Sequence, residues 1–198
     1  MSLQIVSMPL GAYQTNCYLV AREGASEAVV IDPGDSPESV LAELSARGWT
    51  ASGVLITHGH GDHIGGVAGV AEATGALVWM ARGDAEQLRP LYPPDHLVGG
   101  GEVIELAGIE FRTHDVPGHT PGSVSYTADG VCFAGDVLFA GSVGRTDFAG
   151  GDWPTLRSSI DRLISELPGE TVVAPGHGPP TTLARERASN PFLLEPSS

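Results

Sequence analysis

Short apolar runs alternate with segments rich in glycine and proline along the whole chain. Runs of this length that contain many β-branched residues are typical of buried strands, and the turn residues between them mark the strand ends. Glycine at position 11 predicts a turn between the first two strands. The pattern predicts ten strands, at residues 3–7, 15–21, 28–31, 53–57, 76–80, 102–106, 109–114, 123–127, 131–135 and 171–174.

Apolar residues spaced for one helical face predict two helices. The first follows the turn sequence Asp32-Pro33-Gly34, with Ser36 as its N-cap and Pro37 as its first residue. Gly48 is expected to end this helix, because glycine readily adopts the left-handed conformation found there. The second helix is predicted over residues 158–167.

Residues 90–101 carry three prolines and three glycines, which predicts a loop. Groups of strands with helices between them indicate a layered α/β fold. A length of 198 residues fits one domain over 1–198 with a sizeable core. Residues 195–198 are expected to be frayed.

The composition excludes several classes of protein. Hydrophobic residues make up 41% of the chain and charged residues 17%, which is incompatible with a disordered protein. The net charge of −14 disfavours nucleic acid and anionic membranes as partners. All ten basic residues are arginine, so a mechanism based on a Schiff-base lysine is excluded.

The two cysteines, Cys17 and Cys132, lie in apolar runs and are expected to be buried, reduced thiols. The N-terminal segment has no basic start followed by a long apolar stretch, so a signal peptide is not expected. Apolar runs of the length needed to span a membrane are absent from the sequence. These observations predict a cytoplasmic protein.

Four metal-ligand side chains fall within six positions, directly after a predicted strand, in the sequence His58-x-His60-x-Asp62-His63. Imidazole and carboxylate together bind zinc, iron or manganese. An extended segment points His58 and His60 to one side, whereas Asp62 and His63 follow where a helix is predicted to begin around Asp62. The spacing therefore favours a metal site over a chance cluster.

Three further candidate ligands each follow a glycine at the end of an apolar run: His119, Asp136 and His177. Each of them alone is weak evidence, because a lone histidine or a Gly-Asp pair is usually an ordinary loop residue. Strand ends that deliver ligands to one rim are nevertheless how layered folds build a site. Together with the motif they predict one centre.

The order of these seven ligands resembles the metallo-β-lactamase superfamily along essentially the whole chain. The resemblance implies a four-layer αβ/βα sandwich and two divalent cations, with zinc as the first expectation and iron or manganese as alternatives. It assigns one metal to His58, His60 and His119, and the other to Asp62, His63 and His177. Asp136 would bridge them. It also implies that Asp62 acts as a catalytic residue by orienting the attacking water.

Differences between families of this superfamily narrow the expected activity. Zinc β-lactamases typically carry cysteine where Asp136 stands, flavodiiron proteins carry glutamate where His60 stands, and nuclease members use basic surfaces. Because this chain has Asp136, His60 and a net charge of −14, none of these three classes is expected. The segment Gly144-Arg145-Thr146-Asp147-Phe148 resembles small hydrolases of the glyoxalase-II type. There Arg145 would bind a substrate carboxylate, although an ion pair between Arg145 and Asp147 is the structural alternative. The chain is too short for the C-terminal helical domain of full glyoxalase II.

The resemblance implies hydrolysis of a small S-2-hydroxyacyl thioester by a hydroxide that bridges the two metals. A thiolate leaves without protonation, so a separate general acid is not required. Persulfide dioxygenases are an alternative, because they resemble the chain in the same motifs and bind one iron through the equivalents of His58, His119 and Asp136. A lactonase and a metal-binding module without activity are further alternatives.

Two histidines remain outside the predicted centre. His96 lies in the proline-rich segment and either lines the pocket or is structural, whereas His114 is either structural or a partner of a ligand. The structural role is expected for both. The sequence leaves open whether the chain forms a homo-oligomer.

Overall fold

The computed structural model describes residues 2–194, and the predicted fraying of residues 195–198 lies outside that part of the chain. Two six-stranded sheets organise the molecule. The first sheet has the order β1-β2-β3-β4-β5-β6 and the second the order β14-β13-β10-β9-β8-β7, with a separate hairpin of β11 and β12. The bounds are β1 Leu3–Leu10, β2 Thr15–Arg22, β3 Glu27–Ile31, β4 Thr50–Ile56, β5 Leu77–Ala81, β6 His96–Val98, β7 Val103–Leu106, β8 Ile109–Asp115, β9 Val124–Ala128, β10 Val131–Gly135, β11 Leu138–Phe139, β12 Ser142–Val143, β13 Val172–Pro175 and β14 Thr181–Thr182.

Helices cover the outer face of each sheet. Their bounds are α1 Pro37–Arg47, α2 Gly61–Ile64, α3 Val67–Thr74, α4 Ala85–Leu88, α5 Trp153–Glu166, α6 Leu183–Ser189 and α7 Pro191–Leu194, with a 3-10 turn at Arg82–Asp84. None of the helices within residues 2–194 combines the length and the apolar character needed to cross a membrane.

Three hydrophobic clusters fill the spaces between four layers. Val40 and Val70 of α1 and α3 pack on the first sheet. Ile31 and Phe133 belong to the cluster between the two sheets, and Ile160 of α5 packs on the second sheet. The predicted αβ/βα sandwich is therefore confirmed.

The predicted loop at residues 90–101 is wrong in part. Its residues 96–98 form the edge strand β6, which runs parallel to β5 with Leu97 opposite Met80. Three consecutive residues give too short a pattern to separate a strand from a loop, and pairing with β5 supplies the order that the local sequence does not.

The N-cap of one helix and the start of another also differ from the prediction. The first helix begins at Pro37 as expected, but Ser36 is left-handed at φ 46° and its side chain caps no helix amide. Its hydroxyl instead donates to Oδ1 of Asp35 at 2.8 Å. The helix predicted from residue 158 begins at Trp153, because the carboxylate of Asp152 accepts from the amide of Thr155 at 2.9 Å and caps an additional turn. Gly48 ends α1 at φ 68°, as predicted.

Candidate metal centre

The candidate ligands follow the strands β4, β8, β10 and β13, and all of them lie on loops except Asp62 and His63, which lie on the short helix α2. Strands β8, β10 and β13 run in one direction, since β10 is parallel to β13 and both β8 and β10 are antiparallel to β9. Their carboxyl ends therefore lie at one edge of the second sheet. The amide of Asn16, in the first sheet, donates to the carbonyl of Gly176 at 2.7 Å and joins the two sheets at this edge.

The three histidines assigned to one metal come together. His58, His60 and His119 each offer a ring nitrogen, and these atoms all lie within 4.8 Å of one another. Nδ1 of His60 lies 3.1 Å from Nε2 of His58 and 2.9 Å from Nε2 of His119. Three imidazoles that converge on one point form the donor set of a transition-metal site.

The second predicted set comes together beside the first. Ligand atoms of Asp62, His63 and His177 also lie within 4.8 Å of one another. Oδ2 of Asp62 is 3.3 Å from Nε2 of His177 and 3.8 Å from Nε2 of His63. The short helix α2 carries Asp62 and His63, and the ring of His63 lies beside that of His58, with centroids 4.1 Å apart.

Asp136 lies between the two sets. Its carboxylate oxygens are 3.4 Å from Nε2 of His63, 3.4 Å from Nε2 of His177 and 3.6 Å from Nε2 of His119. Among the side chains of residues 2–194, two buried polar atoms lack a hydrogen-bond partner, namely Nε2 of His63 and Oδ1 of Asp136. Buried polar atoms are seldom left unpaired, so this pair fits ligands of a shared cation.

A glycine makes room for this arrangement. A Cβ atom on Gly176 would lie 2.1 Å from Oδ1 of Asp136 and 2.7 Å from Cε1 of His63. The loop before His177 can therefore pass the carboxylate only without a side chain.

A second layer of hydrogen bonds orients the ligands, and it includes residues that the sequence did not identify. Oδ2 of Asp32 lies 2.9 Å from Nδ1 of His63 and accepts the hydroxyl of Thr57 at 2.6 Å. Nδ1 of His119 lies 2.7 Å from the carbonyl of Arg145, and Thr15 donates its hydroxyl to Asp62 at 2.8 Å. Such contacts fix the ring orientation of ligating histidines.

The buried carboxylate of Asp84 holds the backbone of the motif. It accepts the amide of Gly59 at 2.9 Å and the amide of Gly122 at 2.8 Å, and thereby ties the histidine motif to the loop that follows His119. The segment Arg82-Gly83-Asp84 carries no sequence signal for this role. Asp32 does have a sequence signal, because it directly follows a buried strand, as the predicted ligands do. The sequence Asp32-Pro33-Gly34 is also typical of a turn, which accounts for the aspartate without a role in the site.

The two ligand sets differ in charge. Burial lowers the pKa of His58 well below its ordinary value and lowers the pKa of His60, so both rings are neutral at pH 7, which is the form in which imidazole binds a metal. Although burial lowers it, the nearby carboxylates Asp32 and Asp136 raise the pKa of His63 to about 10. Hydrogen bonds to Asp136 and Asp62 raise the pKa of His177 to about 9.

Both carboxylates of the centre are ionised at neutral pH. Burial opposes ionisation of Asp62, but its contacts with His177, His63 and Thr15 lower its pKa to about 2. Burial likewise opposes ionisation of Asp136, and its contacts with His177 and His63 hold its pKa well below the ordinary value. Without a cation, positive charge on the imidazoles balances these carboxylates, which is the charge that divalent ions would supply.

A cavity of about 840 Å³ opens over the centre. Its wall includes the ligands His60, Asp62, His119, Asp136 and His177. The rim adds Tyr13, Asp35, Arg145 and Phe148. A cavity of this size accommodates a small organic substrate with its reactive group at the ligands.

Arg145 forms the ion pair with Asp147 that was the structural alternative in the sequence analysis, and it also lines the cavity. Its guanidinium forms a two-fold contact with the carboxylate of Asp147, at 2.7 and 2.6 Å, and lies 3.9 Å over the ring of Phe148. The same side chain is 58% exposed and lines the cavity. An exposed ion pair is weak, so a substrate carboxylate can replace Asp147 at small cost.

The two remaining histidines lie outside the cavity. His96 stacks on the ring of Trp79 with centroids 4.6 Å apart. Nε2 of His114 lies 2.9 Å from the hydroxyl of Thr127, and its Nδ1 lies 3.8 Å from Glu166. Both have structural contacts, as expected.

The chain resembles known proteins over most of its length. Residues 10–177 match the family described as the metallo-beta-lactamase superfamily. Hydroxyacylglutathione hydrolase GloC of Haemophilus influenzae is 34% identical in an alignment of 211 residues including gaps, which covers 98% of this chain and 98% of that protein.

Three solved structures are similar in both sequence and fold. BLEG-1 B3 metallo-beta-lactamase is 37% identical with a TM-score of 0.91, and the match covers 97% of this chain and 100% of that chain. TTHA1623 in a di-iron-bound form is 40% identical with a TM-score of 0.82, and the match covers 95% of this chain and 100% of that chain. ETHE1 from Myxococcus xanthus is 31% identical with a TM-score of 0.85, and the match covers 95% of this chain and 83% of that chain.

Proposed function

The chain belongs to the metallo-β-lactamase superfamily, and on that premise we propose that it is a metal-dependent hydrolase of small thioesters, of the glyoxalase-II type. The observation that carries the proposal is the convergence of seven ligands with an unpaired nitrogen and an unpaired oxygen at their centre. Likeness to a hydroxyacylglutathione hydrolase along nearly the full length supports thioesters as the substrate class.

The proposed ligands of the first metal are His58, His60 and His119, and those of the second are Asp62, His63 and His177. Asp136 is proposed to touch both, because its carboxylate already lies within 3.6 Å of ligands from each set. Two divalent cations held there would supply Lewis acidity and a water of lowered pKa. Zinc is our first choice, whereas the di-iron form of TTHA1623 supports iron.

The protein residues around the centre position the reactants. Asp62 lines the cavity and is ionised, so we propose that it accepts a hydrogen bond from the attacking water and orients it. Arg145 is proposed to bind a carboxylate of the thiol part of the substrate. The thiolate that leaves is stable without a proton, so the proposal requires none of the titratable groups of the cavity to act as a general acid.

Buried thiols agree with a location in a reducing compartment. Cys17 and Cys132 are buried free cysteines, and burial raises the pKa of Cys132 to about 12. Free cysteines without a disulfide are the usual state in cytosolic proteins, where the thiol pool is kept reduced. We therefore include a cytoplasmic location in the proposal.

A second candidate is the oxidation of a persulfide at one iron. The three ligands that this activity would use, His58, His119 and Asp136, also converge, with Nε2 of His119 3.6 Å from Asp136. The likeness to ETHE1, at 31% identity, is nearly as strong as that to the Haemophilus hydrolase, at 34%. Metal stoichiometry and oxygen uptake separate the two activities.

The test is steady-state hydrolysis of S-lactoylglutathione by protein of measured metal content. Turnover that disappears with a chelator, returns with zinc, iron or manganese, and is lost in Asp136→Ala would support the proposal. Absence of turnover with two metals per chain would reject it. The panel of substrates also includes a lactone and a persulfide, which test the alternative activities. It includes a β-lactam because the chain is similar to a B3 metallo-beta-lactamase.

A further inference from the structure

A second, smaller cavity of about 370 Å³ lies directly beside the metal-centre cavity. Its wall includes Gln87, Pro121 and Ala149, and we call it the side cleft. His60 and Phe148 line both cavities, so these two side chains form the partition between them. The partition stands at a proposed metal ligand, which is where the carbonyl of a substrate would be bound.

Phe148 is the removable part of this partition. Its ring meets the edge of the His60 ring, with centroids 5.6 Å apart at an angle of 76°, and carries the guanidinium of Arg145 on its face. The side chain is 46% exposed and belongs to no core cluster of residues 2–194. Its position therefore reflects the site rather than the packing of the fold.

The backbone that carries Phe148 is fixed against the metal ligands. The carbonyl of Arg145 lies 2.7 Å from Nδ1 of His119, and a Cβ atom on Gly144 would lie 1.8 Å from the carbonyl of Asp136. On the other side, Gly150 is left-handed at φ 87°, and a Cβ atom there would lie 2.7 Å from Pro121. A loop anchored on both sides places the ring of Phe148 at a defined distance from the ligands.

The side cleft suits an apolar chain. Pro121, Phe148 and Ala149 present carbon atoms to it, and the methylene groups of Gln87 lie against Gly59. The carboxylate of Asp84 also borders the cleft, but both of its oxygens already accept backbone amides. The carboxylate of Asp84 therefore does not require a polar occupant.

We propose that Phe148 determines acyl-chain specificity by closing the side cleft to the substrate. This inference rests on the proposed thioester hydrolysis. A short acyl group fits between the metal ligands and Phe148, whereas a longer chain running past His60 meets the ring of Phe148. Removal of the ring joins the two cavities and opens the side cleft to the distal methylenes of the longer chain.

The test compares S-lactoylglutathione with S-hexanoylglutathione as substrates of the wild type and Phe148→Ala. Each methylene that is buried strengthens binding about fourfold, so three of them set an upper limit of about sixtyfold. We expect the ratio of kcat/KM for hexanoyl over lactoyl to rise at least about tenfold in Phe148→Ala. Phe148→Trp, which keeps the partition closed, should show no such rise.

Phe192→Ala is the matched control, because Phe192 is a similarly exposed phenylalanine that packs on Trp153 away from the cavity. Its ratio should equal that of the wild type. An unchanged ratio in Phe148→Ala, or an equal rise in Phe192→Ala, would overturn the proposal.

Binding of octanoate to the metal-loaded protein, measured by calorimetry, separates this proposal from the thioester hypothesis. Tighter binding by Phe148→Ala than by the wild type and Phe192→Ala supports the partition even if neither thioester is hydrolysed. Equal affinity of all three proteins would reject the partition, whatever the activity.

Discussion

Nδ1 of His63 lies 2.9 Å from Oδ2 of Asp32, and both side chains are buried. The other oxygen of Asp32 accepts the amide of Thr57 at 2.8 Å, so the carboxylate is held from two directions. Asp32 thereby fixes the ring of His63 with Nε2 toward Asp136. A carboxylate behind a ligating histidine also makes the histidine a stronger base.

The first prediction concerns Asp32→Asn. Asparagine keeps the shape of the side chain and tolerates the left-handed backbone at φ 50°, but it removes the charge behind His63. We expect metal affinity to fall about 10- to 100-fold. Competition with a chromophoric chelator measures this. A variant that binds both metals as tightly as the wild type would contradict the assigned role of Asp32.

The second prediction concerns Gly176→Ala. The added Cβ atom would lie 2.1 Å from Oδ1 of Asp136, so the carboxylate has to move out of its place between the two ligand sets. We expect loss of at least one metal per chain and of most activity. Gly61→Ala is the control, because a Cβ atom there meets nothing within 4 Å. Equal metal content in both variants, by elemental analysis, would show that Asp136 needs no fixed position.

The third prediction concerns the pH dependence of stability without metal. The pKa values of His63, about 10, and His177, about 9, lie above the ordinary 6.5, so protonation favours the folded chain. This stabilisation is complete below pH 6.5 and is lost as the pH rises through the pKa values of the folded protein, about 9 for His177 and about 10 for His63. In chelator, the free energy of unfolding should fall by at least about 2 kcal/mol between pH 6.5 and pH 10.

Metal-loaded protein is the comparison for this measurement. Its histidines are neutral ligands, so its free energy of unfolding should not follow the same curve. Urea denaturation at several pH values, with chelator and with zinc, measures both. Parallel curves would mean that His63 and His177 do not carry the protons in the metal-free protein.

The fourth prediction concerns Arg145→Gln. Loss of the guanidinium removes a charge-assisted contact with a substrate carboxylate, which should raise KM for S-lactoylglutathione roughly five- to tenfold. The value of kcat should stay within about twofold, because Arg145 does not touch the reacting atoms. An uncharged thioester should show no change in KM, and an equal rise for both substrates would indicate that Arg145 only supports Phe148.

The convergence of the candidate ligands could be predicted from the sequence because they follow the ends of apolar strands, where a layered fold places functional residues. His119 and His177 illustrate this, since both follow Pro-Gly at a strand end and both reach the centre. The strand at residues 96–98 could not be predicted, because it depends on pairing with β5. Local pattern carries no information about which partner a short segment finds.

The supporting residues could not be predicted for a related reason. Asp84 acts through amides of Gly59 and Gly122, which lie in distant parts of the chain, and nothing in its own neighbours indicates that contact. Asp32 lies in a sequence typical of a turn, and the turn alone accounts for an aspartate there. Its contact with His63 is therefore not indicated by the neighbouring residues. Contacts between residues that are far apart in sequence require the fold.

The first proposed ligand is His58 and the last is His177, and the bond between Asn16 and Gly176 brings the last one to the first sheet. A nascent chain therefore has no complete centre until residue 177 has left the ribosome and the two sheets have met. Metals captured earlier by the histidine motif alone would be held by an incomplete donor set and exchange readily. On the proposed ligand set, the metals that stay bound would be selected only after the two sheets have met, by the ions that the compartment offers to the folded protein.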